Sequence, residues 1–524
     1  MSGRNTSNQP NESQPLLQGS VRAVRWWPAK LILTAAVIAF ASLWFIAHGS
    51  QQEFNIHVAQ IILGTLALLL LWVLLFSRMR WRVRWAVLGI VISIFGLLAA
   101  LFRVHGFSGN LVPILEPRWA HREFQRPAAP VVPVAALKAP PGASDFPQFL
   151  GPNRDGKLAG PKLGTNWIRQ PPAQLWRVPV GPAWSGFAVV GAMAITQEQR
   201  GEEECVIAYD LETGKVLWSH TDRERYFNTL AGEGPRATPT IAGPRVLVHG
   251  ATGLLNCLNL ADGHVLWSRK NAGSTPVWGE ATSPLVQNEL VIVNAGGPKE
   301  TALVAYRVAD GSTAWSSGTQ MAGYSSPMST TFAGTKQILV FADALIGSDA
   351  ATGKTLWRFP WPGGHPHVAN PVIAGDSDVV ISSGYGTGSA RVKIERDTNG
   401  QWSAKQVWRT NRMKAKFTDL ILHRGYIYGL DDGIMECIDA GTGALAWKDG
   451  RYGHGQTLLV GELLLIMAES GEVILVDPQP DQLRELTRFT AQNEKTWNPP
   501  ALAGEYLLVR NDKEAVCFRL PVCN

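Results

Sequence analysis

The sequence predicts an all-β fold, an eight-bladed β-propeller of four-stranded blades, preceded by three transmembrane α-helices. Three observations carry this. The segment Tyr209–Trp218 recurs at Leu258–Trp267, Tyr306–Trp315, Asp349–Trp357 and Asp439–Trp447. The closing tryptophans, with those at 176 and 408, are spaced by 42, 49, 48, 42, 51 and 39 residues. Such a period marks a propeller or a solenoid. Apolar runs such as Arg245–His249 and Leu290–Asn294 give each unit about four short strands, which selects the propeller. Third, the runs Leu31–Ala47, Ile56–Phe76 and Trp85–Phe102 hold no Lys, Arg, Asp or Glu, and each is long enough for a membrane-spanning helix.

Residues 1–27 are polar and rich in Asn, Ser, Gln and Pro, and are expected to form a disordered cytoplasmic tail. Residues 28–104 hold the three-helix anchor. A cleaved signal peptide competes for the first run alone; two further runs close behind it favour an anchor. Arg22, Arg25 and Lys30 precede the first helix, and Arg78, Arg80, Arg82 and Arg84 fill the second loop, whereas the loop His48–Asn55 has no Lys or Arg. The positive-inside bias therefore places the N-terminus and the second loop in the cytoplasm and the propeller on the periplasmic or extracellular side of an inner (cytoplasmic) membrane. Trp26, Trp27, Trp81 and Trp85 stand where a cytoplasmic interfacial belt would lie.

Residues 105–145 are rich in Pro and Ala and read as a semi-stiff spacer. Residues 146–524 are the propeller. The formal charge of +6 divides unevenly. Residues 1–145 carry 13 Lys/Arg against 5 Asp/Glu, and the remainder is slightly acidic. Nothing in the repeat region suggests a nucleic-acid surface. Five cysteines without CxxC or Cys/His spacing give neither a disulfide framework nor a zinc site. Cys257, Cys437 and Cys517 share one repeat position with Ala208 and are read as small buried strand residues.

Within a unit, apolar residues lead to an Asp, then to Thr-Gly or Asp-Gly, then to a run ending in Trp: a strand, a tight turn and a second strand. Gly214 and its equivalents would supply a positive φ, and Asp210 and its equivalents would accept turn amides. The rings of Trp176, Trp218, Trp267, Trp315, Trp357, Trp408 and Trp447 are the structural candidates, covering seams between units and donating N–H to a backbone acceptor. The unit ending at Trp408 lacks the turn, and Leu458–Phe489 lacks the Trp. Pro499–Leu520 supplies three strands and Ala173–Val178 a fourth, so the two ends close the ring and hide its edges.

Ala208–Trp218 follows the pattern A-x-D-x-x-T-G-x-x-x-W. In this the chain resembles the pyrroloquinoline quinone (PQQ) repeat family over about residues 146–524, and Phe146–Gly156 resembles the leader ahead of many such propellers. The resemblance implies the fold and two functional classes. One is the PQQ- and calcium-dependent dehydrogenases, some of which are membrane-anchored. The other is non-enzymatic propellers similar to BamB, a subunit of the outer-membrane assembly machinery. The dehydrogenases usually carry a vicinal Cys pair over the quinone; this chain has no adjacent cysteines and no haem-attachment Cys-x-x-Cys-His. It also has three apolar runs where BamB has a lipoprotein-type N-terminus.

Residues preceding the innermost strand of each blade face the axial funnel. They include Arg236, Trp278, Glu280, Tyr324, His365, His367, Asn370, Lys416, Asp419, His454 and Trp497. A quinone with calcium would take Trp278 for stacking, Arg236 or Lys416 for a quinone oxygen, and Glu280, Asn370 and Asp419 as metal ligands. Ordinary polar lining of the channel is the competing reading. His365 and His367, across a Pro and without a carboxylate, read as a solvated loop rather than a metal site. Glu202–Glu204 reads as a solvated hairpin tip. The sequence favours a scaffold or protein-binding propeller without catalysis, with no cofactor expected and a protein partner on the extracytoplasmic side. The alternative is a PQQ-dependent membrane-bound dehydrogenase of alcohols or sugars.

Overall fold

The computed structural model describes residues 23–46, 50–120, 138–271, 275–297 and 301–523. Most of the tail expected at 1–27 lies outside the described residues. The chain divides into two compact units, one holding the helices and the other the propeller with Val104–Glu116.

In the first unit, helices span Trp27–Ile46, Gln51–Leu71 and Trp81–Leu101. The second continues through a wider turn, Trp72–Phe76. All three are long and apolar enough to cross a membrane. The Arg-rich turn between the last two is tied down by Arg84, whose Nη1 donates to the Leu74 carbonyl at 2.7 Å.

The spacer read at 105–145 is structured in part. Phe102–Phe107 and Pro113–Pro117 pair as a two-stranded sheet, while residues 121–137 lie outside the described residues. Pairing here was not legible in the local pattern, because neither run alternates strongly and each is short.

Eight antiparallel sheets form the propeller. Blades one to six are consecutive four-strand meanders: residues 188–222, 240–270, 285–317, 328–360, 372–410 and 421–451. Blade seven, 456–490, gains a short parallel strand at Lys157–Leu158. Blade eight joins residues 501–519 to Ala173–Pro179, with Cys517 opposite Trp176. Chain ends therefore close the ring as the sequence predicts, and no blade edge is left at the joint.

The repeat signature is explained by contacts between blades. Asp210 Oδ1 accepts the Thr213 N–H at 2.8 Å and its hydroxyl at 2.6 Å, and Asp349 and Asp439 hold Thr352 and Thr442 in the same way. Gly214 has φ +69°, and a Cβ there would lie 2.7 Å from the ring of Trp176 in blade eight. Gly263 stands likewise under Trp218, Gly311 under Trp267, Gly353 under Trp315 and Gly443 under Trp408. Each of these five Trp thus rests on the turn glycine of the next blade. Five of the indoles, those of Trp176, Trp218, Trp267, Trp408 and Trp447, also donate to a carbonyl of that blade at 2.9–3.0 Å. Cys257, Cys437 and Cys517 pair across the strands with Trp267, Trp447 and Trp176, so a small residue is needed there. Burial pushes the Cys257 thiol up to about 11 and that of Cys437 to about 12, which leaves both inert.

The leader crosses the ring. Phe146 pairs with Val189 of blade one, Pro147 accepts from Ile241 of blade two, and Gly156 accepts from Leu459 of blade seven. Between them Arg154, 3% exposed, donates to the carbonyls of Ser283 and Pro284 in blade three at 2.9 Å each.

Glu202–Glu204 is not a uniformly solvated tip. Alternation along the strand turns Glu204 inward, where it is 6% exposed and accepts the Ala251 N–H of blade two at 3.1 Å. Burial raises its carboxyl to about 7.

Candidate functional site: the axial cup

The segments before the innermost strands converge on the axis, and they do two jobs. The first is to lock blade to blade. The backbone N–H of Gly186 donates to Thr238 Oγ1 at 3.0 Å, that of Thr238 to Ser283 Oγ at 3.0 Å, and that of Ser283 to Ser326 Oγ at 2.9 Å. The series continues with Ser326 N–H to Asn370 Oδ1 at 2.9 Å and Asn370 N–H to Asp419 Oδ1 at 2.7 Å. Each acceptor belongs to the next blade. A polar staple thus runs around six blades, satisfying amides that would be orphaned beside the axis.

The second job is to shape a cup. A cavity of about 370 Å³ is bounded by Trp184, Trp278, Tyr324, Tyr385, Phe417 and Trp497, with Phe149 of the leader and Ser108, Gly109 and Leu111 also on its wall. Trp278 lies against Tyr324 with centroids 5.7 Å apart, and Trp497 against Phe417 at 4.9 Å and Trp184 at 5.0 Å.

The predicted residues divide between these jobs. Arg236 lines the cup but is engaged: its guanidinium donates to Gly232 and Gly234 carbonyls and lies 4.4 Å from the Tyr226 centroid. Burial lowers it to about 10, so it keeps its charge at neutral pH. Asn370 and Asp419 touch the cup, yet one oxygen of each is committed to the staple. Burial raises Asp419 to about 6. Glu280 is 1% exposed, is not on the cup wall, and its Oε2 has no hydrogen-bond partner. Desolvation raises it to about 8, with an Asn271 hydrogen bond opposing. Lys416, 1% exposed, donates from Nζ to the Gly109 carbonyl at 3.1 Å.

His365 and His367 go different ways. His365 is exposed and stacks on Tyr385 at 4.8 Å, whereas His367 is 4% exposed, stacks on Phe341 and bonds the Ala342 carbonyl. Only one of the pair is solvated. His454 is fully buried, and burial, reinforced by Lys416, lowers it to about 4.

Calcium with a quinone does not fit these residues. A neutral Glu280 buried off the wall cannot join Asn370 and Asp419 around one ion, and the staple already takes an oxygen from each of those two. Among the described residues no group of three His, Cys, Asp or Glu side chains is placed to hold a metal ion.

The sequence reading missed Trp184, Tyr385, Phe417, Glu469 and Lys495. Trp184 and Phe417 occupy the same pre-strand position as the residues it did find. Glu469 lies in the turn between the second and third strands of blade seven, with no local signal, and Lys495 stands two residues before Trp497. The segment 108–111 was hidden in the presumed spacer.

An eight-bladed ring with Asp/Thr-Gly turns under neighbouring tryptophans defines a PQQ-like repeat propeller. The family described as outer membrane protein assembly factor BamB matches over residues 172–280 and 202–449, and the chain belongs to that family. Among solved structures, BamB from Moraxella catarrhalis is similar at 13% identity and a TM-score of 0.51, covering 67% of this chain and 100% of its own. A europium-containing methanol dehydrogenase is similar at 13% identity and 0.56, covering 72% and 98%. A quinohemoprotein alcohol dehydrogenase from Comamonas testosteroni is similar at 12% and 0.51, covering 75% and 82%. These likenesses show the fold. No curated relative matches the chain.

Proposed function

We propose that this protein is a membrane-anchored, extracytoplasmic propeller that binds a protein partner and performs no redox chemistry. The observation that carries the reading is the use made of the supposed ligands. Asn370 and Asp419 each give an oxygen to an inter-blade amide, and Glu280 is buried away from the cup. An axial site whose acceptors are spent on blade packing is poor ground for a divalent ion and its quinone. The orientation rests on the arginines at 78, 80, 82 and 84, and the family's protein-assembly member supports a partner of protein nature.

The aromatic cup with Arg236 is what favours a dehydrogenase instead. A dye-linked oxidation assay decides. The full chain, purified in detergent and incubated with PQQ and calcium, is offered a panel of primary alcohols and aldoses. No turnover is expected. Turnover that needs both additions and disappears in Asp419→Ala would replace the scaffold by an enzyme.

A further inference from the structure

The cup's mouth is occupied by the chain itself. Residues 108–112 form a tight turn, with the Ser108 N–H donating to the Val112 carbonyl and that of Leu111 to the Ser108 carbonyl, both at 2.9 Å. The propeller reads this turn through its backbone. Glu469 Oε1 accepts the Gly109 N–H at 2.7 Å, Lys416 donates to the Gly109 carbonyl at 3.1 Å, and Lys495 to the Phe107 carbonyl at 3.0 Å. His454 Nε2 meets Asn110 Oδ1 at 3.1 Å. The four propeller side chains come from blade seven and from the segments before blade six, before blade seven and after blade seven, so the site is assembled by tertiary folding.

The glycine is demanded by the site. A Cβ at Gly109 would lie 2.0 Å from His454 Cδ2, and since Gly109 is not at positive φ the close approach alone is what calls for glycine. His454 cannot retreat easily, because it is fully buried and its N–H is held by Glu469 Oε2 at 2.9 Å. Outside the turn, His105 Nε2 meets Asp512 Oδ2 at 2.5 Å and its Nδ1 meets Glu116 Oε2 at 3.3 Å, which pins both strands of the hairpin to the last blade.

We propose that this mouth is a receptor for a glycine-containing peptide turn, that residues 107–112 are its tethered occupant, and that a partner protein binds by presenting such a turn in their place. Charged side chains at the mouth, Lys416 buried and Glu469 and Lys495 partly so, complement one amide and two carbonyls of the backbone. That arrangement recognises a main-chain conformation and rejects any side chain at the central position. Apolar flanks on the partner's turn would meet the aromatic cup, as Leu111 does. The inference rests on the reading of the propeller as a binding module and names what it binds.

The test uses the full chain in detergent and a fluorescein-labelled peptide of the sequence Phe-Ser-Gly-Asn-Leu-Val-Pro, followed by anisotropy. Wild type should not bind it, since the tethered copy holds the site. Gly109→Leu should expel the tether and bind the peptide saturably. Adding Glu469→Gln or Lys416→Ala should weaken that binding by about tenfold or more, the loss expected for one hydrogen bond to a charged group. A peptide with Leu in place of Gly should not bind. If Gly109→Leu does not fold, His105→Ala, which cuts the hairpin's tie without a clash, is the opening variant. A folded opening variant that ignores the peptide overturns the proposal, as does binding that is indifferent to Glu469 and Lys416. Oxidation of alcohols with PQQ would sink the scaffold reading by a separate readout and leave the peptide result to stand or fall alone.

Discussion

The seam between blades one and two and the seam between blades four and five are closed by the same kind of ring in two ways. Trp218 crosses to the next blade, rests on Gly263 and donates to the Leu260 carbonyl at 2.9 Å. Trp357 turns back. It packs against Gly347 of its own blade and donates to Gln337 Oε1 at 2.7 Å. The cause lies in blade five, whose turn is Ile394–Gly400 and offers no Thr-Gly for the ring to sit on. Its apolar face is still used, in a cluster with Phe332, Val392 and Ile394. Where the following blade supplies a turn glycine the ring sits on it; Trp447 still crosses to blade seven, which has none, and donates to the Gln479 carbonyl at 2.9 Å.

Breaking the ring altogether should have the largest effect. Deleting Ala173–Pro179 removes the fourth strand of blade eight and exposes a paired edge, so cooperative unfolding by circular dichroism should be lost or its midpoint lowered drastically. Next come the rings: Trp218→Ala and Trp357→Ala should each cost about 3–5 kcal/mol in chemical denaturation, because both are buried whichever way they point. The glycines beneath the rings come third. Gly263→Ala forces a Cβ to 2.4 Å from Trp218 and Gly347→Ala to 2.2 Å from Trp357, and both should destabilise clearly. Gly243→Ala, also at positive φ but facing open space, should cost only about 1 kcal/mol. Equal costs at Gly263 and Gly243 would mean that φ alone, and not the seated ring, demands glycine there.

A smaller effect separates packing from ligand binding at the axis. Asp419→Asn keeps an acceptor for the Asn370 N–H and should be nearly neutral, whereas Asp419→Ala orphans that amide and should cost about 1–3 kcal/mol. The last is a pH dependence. Glu280 ionises near its usual 4.5 when unfolded and at about 8 when folded, so folding holds a proton that the unfolded chain releases. Stability therefore falls as pH rises from about 4.5 to about 8, and Glu280→Gln should lose that slope. Parallel pH profiles for the two proteins would mean that the carboxyl is solvated.

The rim was legible in the sequence because its chemistry repeats. Asp210, Gly214 and Trp218 recur with one spacing, and each contact pairs neighbours in the ring, so both the fold and the closure at Trp176 followed from counting. The axis was legible only as a set of positions. Thr238, Ser283, Ser326, Asn370 and Asp419 do one job with four side-chain types, so no pattern announced the staple, and the last two resembled ligands. The turn at 108–112 was not legible at all. Its partners, Glu469, Lys416, Lys495 and His454, lie more than three hundred residues away, and its glycine answers to a histidine that only the folded propeller brings near.

If the axial acceptors serve blade packing and not a cofactor, PQQ and calcium have no site to fill. Thermal unfolding of the detergent-solubilised chain, titrated with PQQ and calcium together, tests it most directly. A true holoprotein gains roughly 2.7 kcal/mol at a hundredfold excess over the dissociation constant. An unchanged midpoint is expected throughout the titration. A saturable rise that requires both components and is abolished by Glu280→Ala or Asp419→Ala would contradict it.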